Sequence, residues 1–360
     1  RCPTRIHHDR YNQTERIRDQ VVERRIADGR AWEETVVTGL LEARTPQVVS
    51  APATPINPAN PVVIPSEVLA RHRESITTRA LRSGVPLILG GRLTAPGLQS
   101  VGAPDVLVRL EDGYAPIDVK HHKAIGKTGI PGRTASIKCI DDVNGPACRF
   151  RSGRVNDLFQ VAHYWRLLDD AGFANPRHLA GIIGAESSMI VVWVDLGDGD
   201  PSLLDRHLEA LDEAIMVAAA GRLQPDTPLV PAVWRGECRS CPWADFCRSE
   251  LESVDHISLL PEVGAYETAQ LLDSGITTTT QIANCTSGVV FGEYSVTEEA
   301  ILQARARASG TLLRRPGVDL GLPDAAHQID FDVETYLGTL YLAGLLIHES
   351  EGAAFRPISD

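Results

Sequence analysis

The sequence predicts an α/β fold: a mixed central sheet flanked by helices, then a helical element and a β-rich end. Three observations predict it. Apolar residues recur at three- and four-residue spacing through 9–44 and 154–172, the period of amphipathic helices. Short β-branched runs, VPLILGGRLT and MIVVWVDL, lie between and after those helices. DVLVRLEDGYAPIDV (105–119) alternates in polarity on both sides of Asp112-Gly113, a favoured hairpin turn.

Taken in order, residues 9–44 are helical through ERIRDQVVERRIADG and AWEETVVTGLLEA. SAPATPINPANPVVIPS is a proline-rich loop, and SEVLARHRESITTRALRSG is a helix with Ser66 as N-cap. VPLILGGRLT is a short buried strand before the hairpin. Residues 121–154, rich in Gly, Pro and Thr, read as a long irregular insertion. RVNDLFQVAHYWRLLDDAG is an amphipathic helix, GIIGAESSMIVVWVDL holds a strand, and DPSLLDRHLEALDEAIMVAAAGRL is a long helix ended by Gly221 and prolines. The expected domains are 1–252, a helical segment and linker over 253–322, and a β-rich unit over 323–360 that stops unfinished.

Composition narrows the function. The chain has 360 residues, 43% hydrophobic and 23% charged, which suits a folded globular protein. No apolar run approaches about 18 residues, and RCPTRIHHDRYNQ has no apolar core, so neither a membrane span nor a signal peptide is expected. A cytoplasmic location follows, and the first residue, Arg, suggests that the start of the protein is missing. The net charge of −12 argues mildly against non-specific nucleic-acid binding. Residues 120–154 run the other way, with eight Lys and Arg against two Asp.

Folding the hairpin about Asp112-Gly113 sets Asp105 opposite Lys120 and Leu107 opposite Asp118. Asp105, Asp118 and Lys120 then project from one face. Two carboxylates so close call for a cation, and a hard divalent ion such as Mg²⁺ or Mn²⁺ accepts one or two of them. A water on that ion can attack phosphorus, with Lys120 orienting it or balancing developing charge. The plain alternative is a surface hairpin with an ordinary Asp–Lys pair.

CRSCPWADFC (238–247) holds three cysteines as C-x2-C-x5-C, a pattern for zinc or an iron–sulfur cluster. Both want a fourth ligand. Cys2, Cys139, Cys148, Cys285 and the histidines are all candidates, and spacing does not choose among them.

The run G-A-P-D, then I-D-V-K, then a helix bearing Q-V-A-H-Y resembles the RecB-like nucleases of the PD-(D/E)XK superfamily. The resemblance implies a restriction-endonuclease-like core and metal-dependent cleavage of DNA. It implies that Asp105 and Asp118 bind the metal, that Lys120 is catalytic, and that Gln160 and Tyr164, on one helix face, contact DNA or support the site. The family's upstream G-x2-H-E corresponds to G-R-A-W-E here. Glu33 is kept as a metal ligand, but Trp32 replaces the histidine, which puts metal number and affinity in doubt. Some members carry one upstream cysteine and a later C-x2-C-x5-C that together hold a [4Fe–4S] cluster. The segment C-P-T-R-I-H-H-D resembles that upstream site, which implies Cys2, Cys238, Cys241 and Cys247 as ligands clasping the two ends of the nuclease unit.

Further on, SLLPEVGAYETAQLLDSGI resembles a helix-hairpin-helix element with Gly264 in its turn, although Glu262 stands where a first glycine is usual. IDFDVET resembles the first strand of RNase H-like DEDD exonucleases, with Asp332 and Glu334 as its acidic pair. The function expected from the whole is a Mg²⁺- or Mn²⁺-dependent deoxyribonuclease, an exonuclease on single-stranded ends or flaps in DNA repair or processing, with a helicase or another repair protein as partner. The alternative is a non-catalytic iron–sulfur module that binds nucleic acid while a partner cuts.

Overall fold

A computed structural model describes residues 2–13, 20–42, 44–95, 97, 100–310, 328–336, 339–349 and 352–358. The chain divides into two compact units, Arg1–Ser258 and Leu259–Asp360.

The first unit opens with α1 (Pro3–Tyr11) and α2 (Gln20–Leu41). Pro3 takes the first helical position, where its missing N–H costs nothing, so helix begins before residue 9. β1 (Gln47–Val48) and β2 (Val62–Val63) bracket the proline-rich loop. α3 (Ala70–Ser83) starts after Leu69 and not at Ser66, whose hydroxyl donates to Glu67 instead. β3 (Leu87–Leu89), β4 (Leu93–Ala95) and β5 (Ser100–Gly102) lead to the hairpin of β6 (Val106–Leu110) and β7 (Gly113–Val119). Then come β8 (Gly129–Ser136), β9 (Ala147–Arg151) and α4 (Val155–Asp170). β10 (Leu179–Ile183) and β11 (Ile190–Asp195) form an antiparallel pair where one strand was expected. α5 (Leu203–Leu223) is fixed at its start by a reciprocal Ser202–Asp205 capping box and runs past Gly221, and α6 (Ala244–Ser253) follows the first two cysteines of the cluster.

Nine strands form one mixed sheet in the order β1-β2-β3-β6-β7-β10-β11-β8-β9. Val36 and Leu40 of α2 pack on one face with Val106, Ile117 and Trp193. On the other face, α3 and the C-terminal half of α4 cover Ile88, Leu107 and Tyr114, and the first half of α4 covers Ile182 and Val192. The α/β layering expected from sequence is what the chain forms.

Two local expectations change. The hairpin turns at Glu111-Asp112, with Leu110 opposite Gly113 and Leu107 opposite Pro116. Gly113 is needed elsewhere. It adopts φ 147°, and a Cβ on it would sit 2.6 Å from the carbonyl oxygen of Ala174, whose neighbours Phe173 and Asn175 pair with Tyr114. The observed register differs from the expected one by two residues, and a two-residue slip keeps every side chain on its face. Asp105, Asp118 and Lys120 therefore still share a side, but Asp105 comes level with Asp118 and not with Lys120.

Residues 121–154 are not an irregular insertion. β8 pairs with β11 and β9 pairs with β8, so this basic stretch forms the far end of the sheet. Its Pro and Gly hid the strand: Gly129 and Pro131 lie at the end of β8 beyond its ladder with β11, where a proline is tolerated.

The second unit holds α7 (Ala265–Asp273), α8 (Thr279–Ala283), the two-stranded β12 (Val290–Phe291) and β13 (Tyr294–Ser295), and α9 (Glu298–Ser309). β14 (Gln328–Tyr336), β15 (Thr339–Glu349) and β16 (Gly352–Ile358) make an antiparallel meander. Gly264 is the N-cap of α7, with the Glu267 carboxylate close against it. Asp332 is exposed on β14 and accepts the N–H of Val333; the side chain of Glu334 lies outside the described residues. No helix among the described residues is long and apolar enough to cross a membrane.

Candidate active site

β7 carries the site. Asp118, 2% exposed, lies opposite Ile182 of β10. At the strand's end the Lys120 N–H donates to Ile183 O at 2.8 Å; residues 121–122 then bend, and His122 O accepts the Ala185 N–H at 2.9 Å. Asp105 stands just before β6, and its Oδ2 accepts the Val119 N–H at 2.7 Å.

α4 crosses this row. Gln160 donates through Nε2 to Asp118 Oδ1 at 3.1 Å and to Tyr164 Oη at 2.7 Å, and its Oε1 accepts from Lys120 Nζ at 2.8 Å. Both ends of the amide are used, which fixes its orientation. Lys120 Nζ also lies 2.5 Å from Asp118 Oδ2. The contact is a close ion pair to a carboxylate oxygen that is itself buried. Five expected residues, Asp105, Asp118, Lys120, Gln160 and Tyr164, thus form one connected group. In it Gln160 bonds Asp118, Lys120 and Tyr164.

Charge explains what the group lacks. Burial, then the neighbouring Asp118, pushes the Asp105 carboxyl up to about 8. Burial also raises Asp118, against the pull of Lys120. Glu33 on α2 is raised by burial and then by Asp118. Lys120 is the cation acting on Asp105 and Asp118, while Arg30 acts on Glu33 and Asp157 adds a further negative charge near Asp118. The hard oxygen donors of these carboxyls are of the kind that suits a small divalent cation. Among the described residues no three such side chains close to coordination geometry, so the carboxyls are neighbours in charge rather than a finished ligand shell.

Trp32, where the resembling family has histidine, packs partly buried on the core beneath α2. Its Nε1–H is buried without a hydrogen-bond partner, and its ring lies 6.2 Å from that of His121.

The four cysteines meet elsewhere in the same unit. Cys2 is the N-cap of α1, Cys238 and Cys241 lie in and after a short 3₁₀ turn, and Cys247 is in α6. All four line one cavity of about 30 Å³. Burial, then Glu250 and the other three cysteines, pushes the Cys247 thiol up to about 12, and Cys238 is raised chiefly by burial. Four cysteine sulfurs around one cavity are residues that could hold a thiophilic metal or cluster, although among the described residues they are not drawn to ligand distance. α1 is held beside them by other bonds. Trp243 Nε1 donates to Asp9 at 2.8 Å, Thr4 to Val230 O at 3.0 Å and Tyr11 to Ala218 O at 2.5 Å, while His8 packs against Phe246.

No protein-family model matches the sequence, and it has no significant match among curated proteins. The site has to be read from its own residues.

Three residues at the site escaped the sequence reading. His122 Nε2 lies 3.2 Å from Asp157 Oδ2. Glu186 Oε1 accepts the N–H groups of Ala124 and Ile125 at 2.7 and 3.0 Å and so anchors the segment after Lys120. One signal was present: Asp157 precedes Gln160 by one helical turn. Glu186 had none, because its stretch read as part of a single strand.

Proposed function

We propose that the chain is a Mg²⁺- or Mn²⁺-dependent deoxyribonuclease with a PD-(D/E)XK-type core, acting on single-stranded ends or flaps. The observation that carries this reading is the buried Asp105–Asp118 pair, short of positive charge, beside a lysine held in place by Gln160. Asp105, Asp118 and Glu33 hold the ion, which when bound supplies an activated water and charge at the phosphate. Lys120 balances charge in the transition state, and Gln160 and Tyr164 fix its direction. The large mixed sheet between helices supports the restriction-endonuclease-like assignment. The shared cysteine cavity supports a [4Fe–4S] cluster bound by Cys2, Cys238, Cys241 and Cys247, which staples α1 to the C-terminal part of the unit. The workplace in this reading is the cytoplasm, alongside a helicase or another repair protein.

The position of Trp32 favours a second reading. An indole set into the core where a metal-binding histidine is expected suits a module that binds nucleic acid while its partner cuts. End-labelled single-stranded DNA incubated with the purified protein and Mn²⁺ separates the two. Cleavage that stops on chelation supports the enzyme; binding without cleavage supports the module.

A further inference from the structure

We propose that Arg5 balances the charge of a metal group held by Cys2, Cys238, Cys241 and Cys247, and so sets how tightly that group is kept. The inference rests on the reading of those four cysteines as ligands and not on the cleavage reaction.

The need for a cation follows from the donor set. Cysteine binds metal as the thiolate. Four thiolates around Zn²⁺ or an iron–sulfur core leave a net negative group. The cavity is also largely apolar: Val233, Trp234, Trp243 and Leu251 line it beside the cysteines, and Trp243 is 2% exposed. In such surroundings an unbalanced charge is costly, and a nearby opposite charge acts more strongly than in water. Among the described residues that line the cavity, Arg5 and Glu237 are the charged ones. Glu237 adds to the negative side, so Arg5 is the cation left to offset it.

Arg5 is built into that place. It lies on α1, in the turn that follows Cys2. Its Nε pairs with Asp9 Oδ2 at 3.5 Å, and the other oxygen of Asp9 accepts the Trp243 Nε1–H at 2.8 Å. Asp9 thus ties the arginine to an indole that lines the same cavity. The Arg5 Nε is buried and makes no hydrogen bond in this pair. A guanidinium stays charged at any working pH and carries several N–H donors, so donors remain for sulfur beside the contact with Asp9. Hydrogen bonds to the sulfurs are one means by which a protein tunes such a site. One is already in place, from the Arg235 N–H to Cys238 Sγ at 3.4 Å.

The test measures metal affinity and needs no substrate. The full chain is stripped of metal, kept reduced and anaerobic, and titrated with Co²⁺ against a chelator. Thiolate-to-cobalt absorbance reports the bound ion. Wild type, Arg5→Gln, Arg5→Lys, Tyr11→Phe and Cys2→Ser are compared, with melting curves of each metal-free protein. Arg5→Gln is expected to bind Co²⁺ about 10-fold more weakly, as for residues just outside a metal's ligands, at an unchanged metal-free melting temperature. Arg5→Lys keeps the charge and recovers most of the affinity. Tyr11→Phe removes the bond to Ala218 O that docks the far end of α1, and it leaves the affinity as in wild type. Arg5→Gln binding as tightly as wild type, Arg5→Lys binding as weakly as Arg5→Gln, or an affinity that follows the melting temperature through Tyr11→Phe overturns the role of the charge while the ligands stand. A wild type without thiolate bands, or one whose bands survive in Cys2→Ser, sinks the four-cysteine reading itself.

Discussion

Gln160 donates to Asp118 at 3.1 Å with one end of its amide while the other end, 2.8 Å from Lys120, accepts that lysine's proton. One neutral side chain thus sets both the carboxylate and the ammonium of the site. Gln160→Ala frees both. The expected loss is about 10- to 100-fold in kcat, the range for supporting residues around a metal site, with KM for DNA little changed. Steady-state kinetics check it. A KM effect with kcat intact would make Gln160 a substrate contact instead.

Asp105 gives a pH dependence with a definite sign. Its folded-state value, about 8, lies above that of an unfolded carboxyl. The stability tied to its protonated form is fully present below about pH 4 and is lost as pH rises through about 8. The metal-free protein should therefore melt at lower temperature near pH 9 than near pH 6, and Mn²⁺ should recover the difference by binding the ionised form. Asp105→Asn should flatten the profile. A mutant profile as steep as wild type would place the effect elsewhere.

Cys2 lines one cavity with Cys238, Cys241 and Cys247, far from it in sequence, so a cluster shared by the four would close a very long loop. Anaerobically purified protein should be brown with broad thiolate–iron absorbance, and Cys2→Ser should bleach it. Stability should fall by about 2–5 kcal/mol, by analogy with losing a long-range covalent cross-link. Stoichiometric zinc in a colourless, equally stable protein would contradict the cluster.

The corrected β8–β9 pairing predicts where salt acts. Gly129, Pro131 and Arg133 lie opposite Arg151, Arg149 and Ala147, so the three arginines share one face of the hairpin, all exposed. If Arg149 and Arg151 each meet a phosphate, replacing both by Ala lowers the slope of log affinity against log salt by about 1.4 for single strands. An unchanged slope, from anisotropy titrations at several salt concentrations, would take this face out of the interface.

The chemistry of the site was more legible than its local geometry. Asp105, Asp118 and Lys120 could be placed on one face because alternation survives a two-residue error in register, and that error arose from spending Gly113 on the turn when Ala174 needed it. Gln160 and Tyr164 came from the resemblance to the family's Q-x3-Y motif, and their four-residue spacing put them on one helix face. β8 and β9 were hidden because Gly129 and Pro131 look like loop when read without the sheet they end. His122, Asp157 and Glu186 act through partners distant in sequence, and only the fold shows those.

The central claim is that Asp118 lies at the heart of a metal-dependent phosphodiesterase. The most direct measurement is single-turnover cleavage of end-labelled single-stranded DNA with Mn²⁺ by wild type and Asp118→Ala, both shown to be folded by their melting curves. Wild type should cut, and the mutant should lose at least about 100-fold in rate. Metal-dependent cleavage that survives in Asp118→Ala would contradict the account.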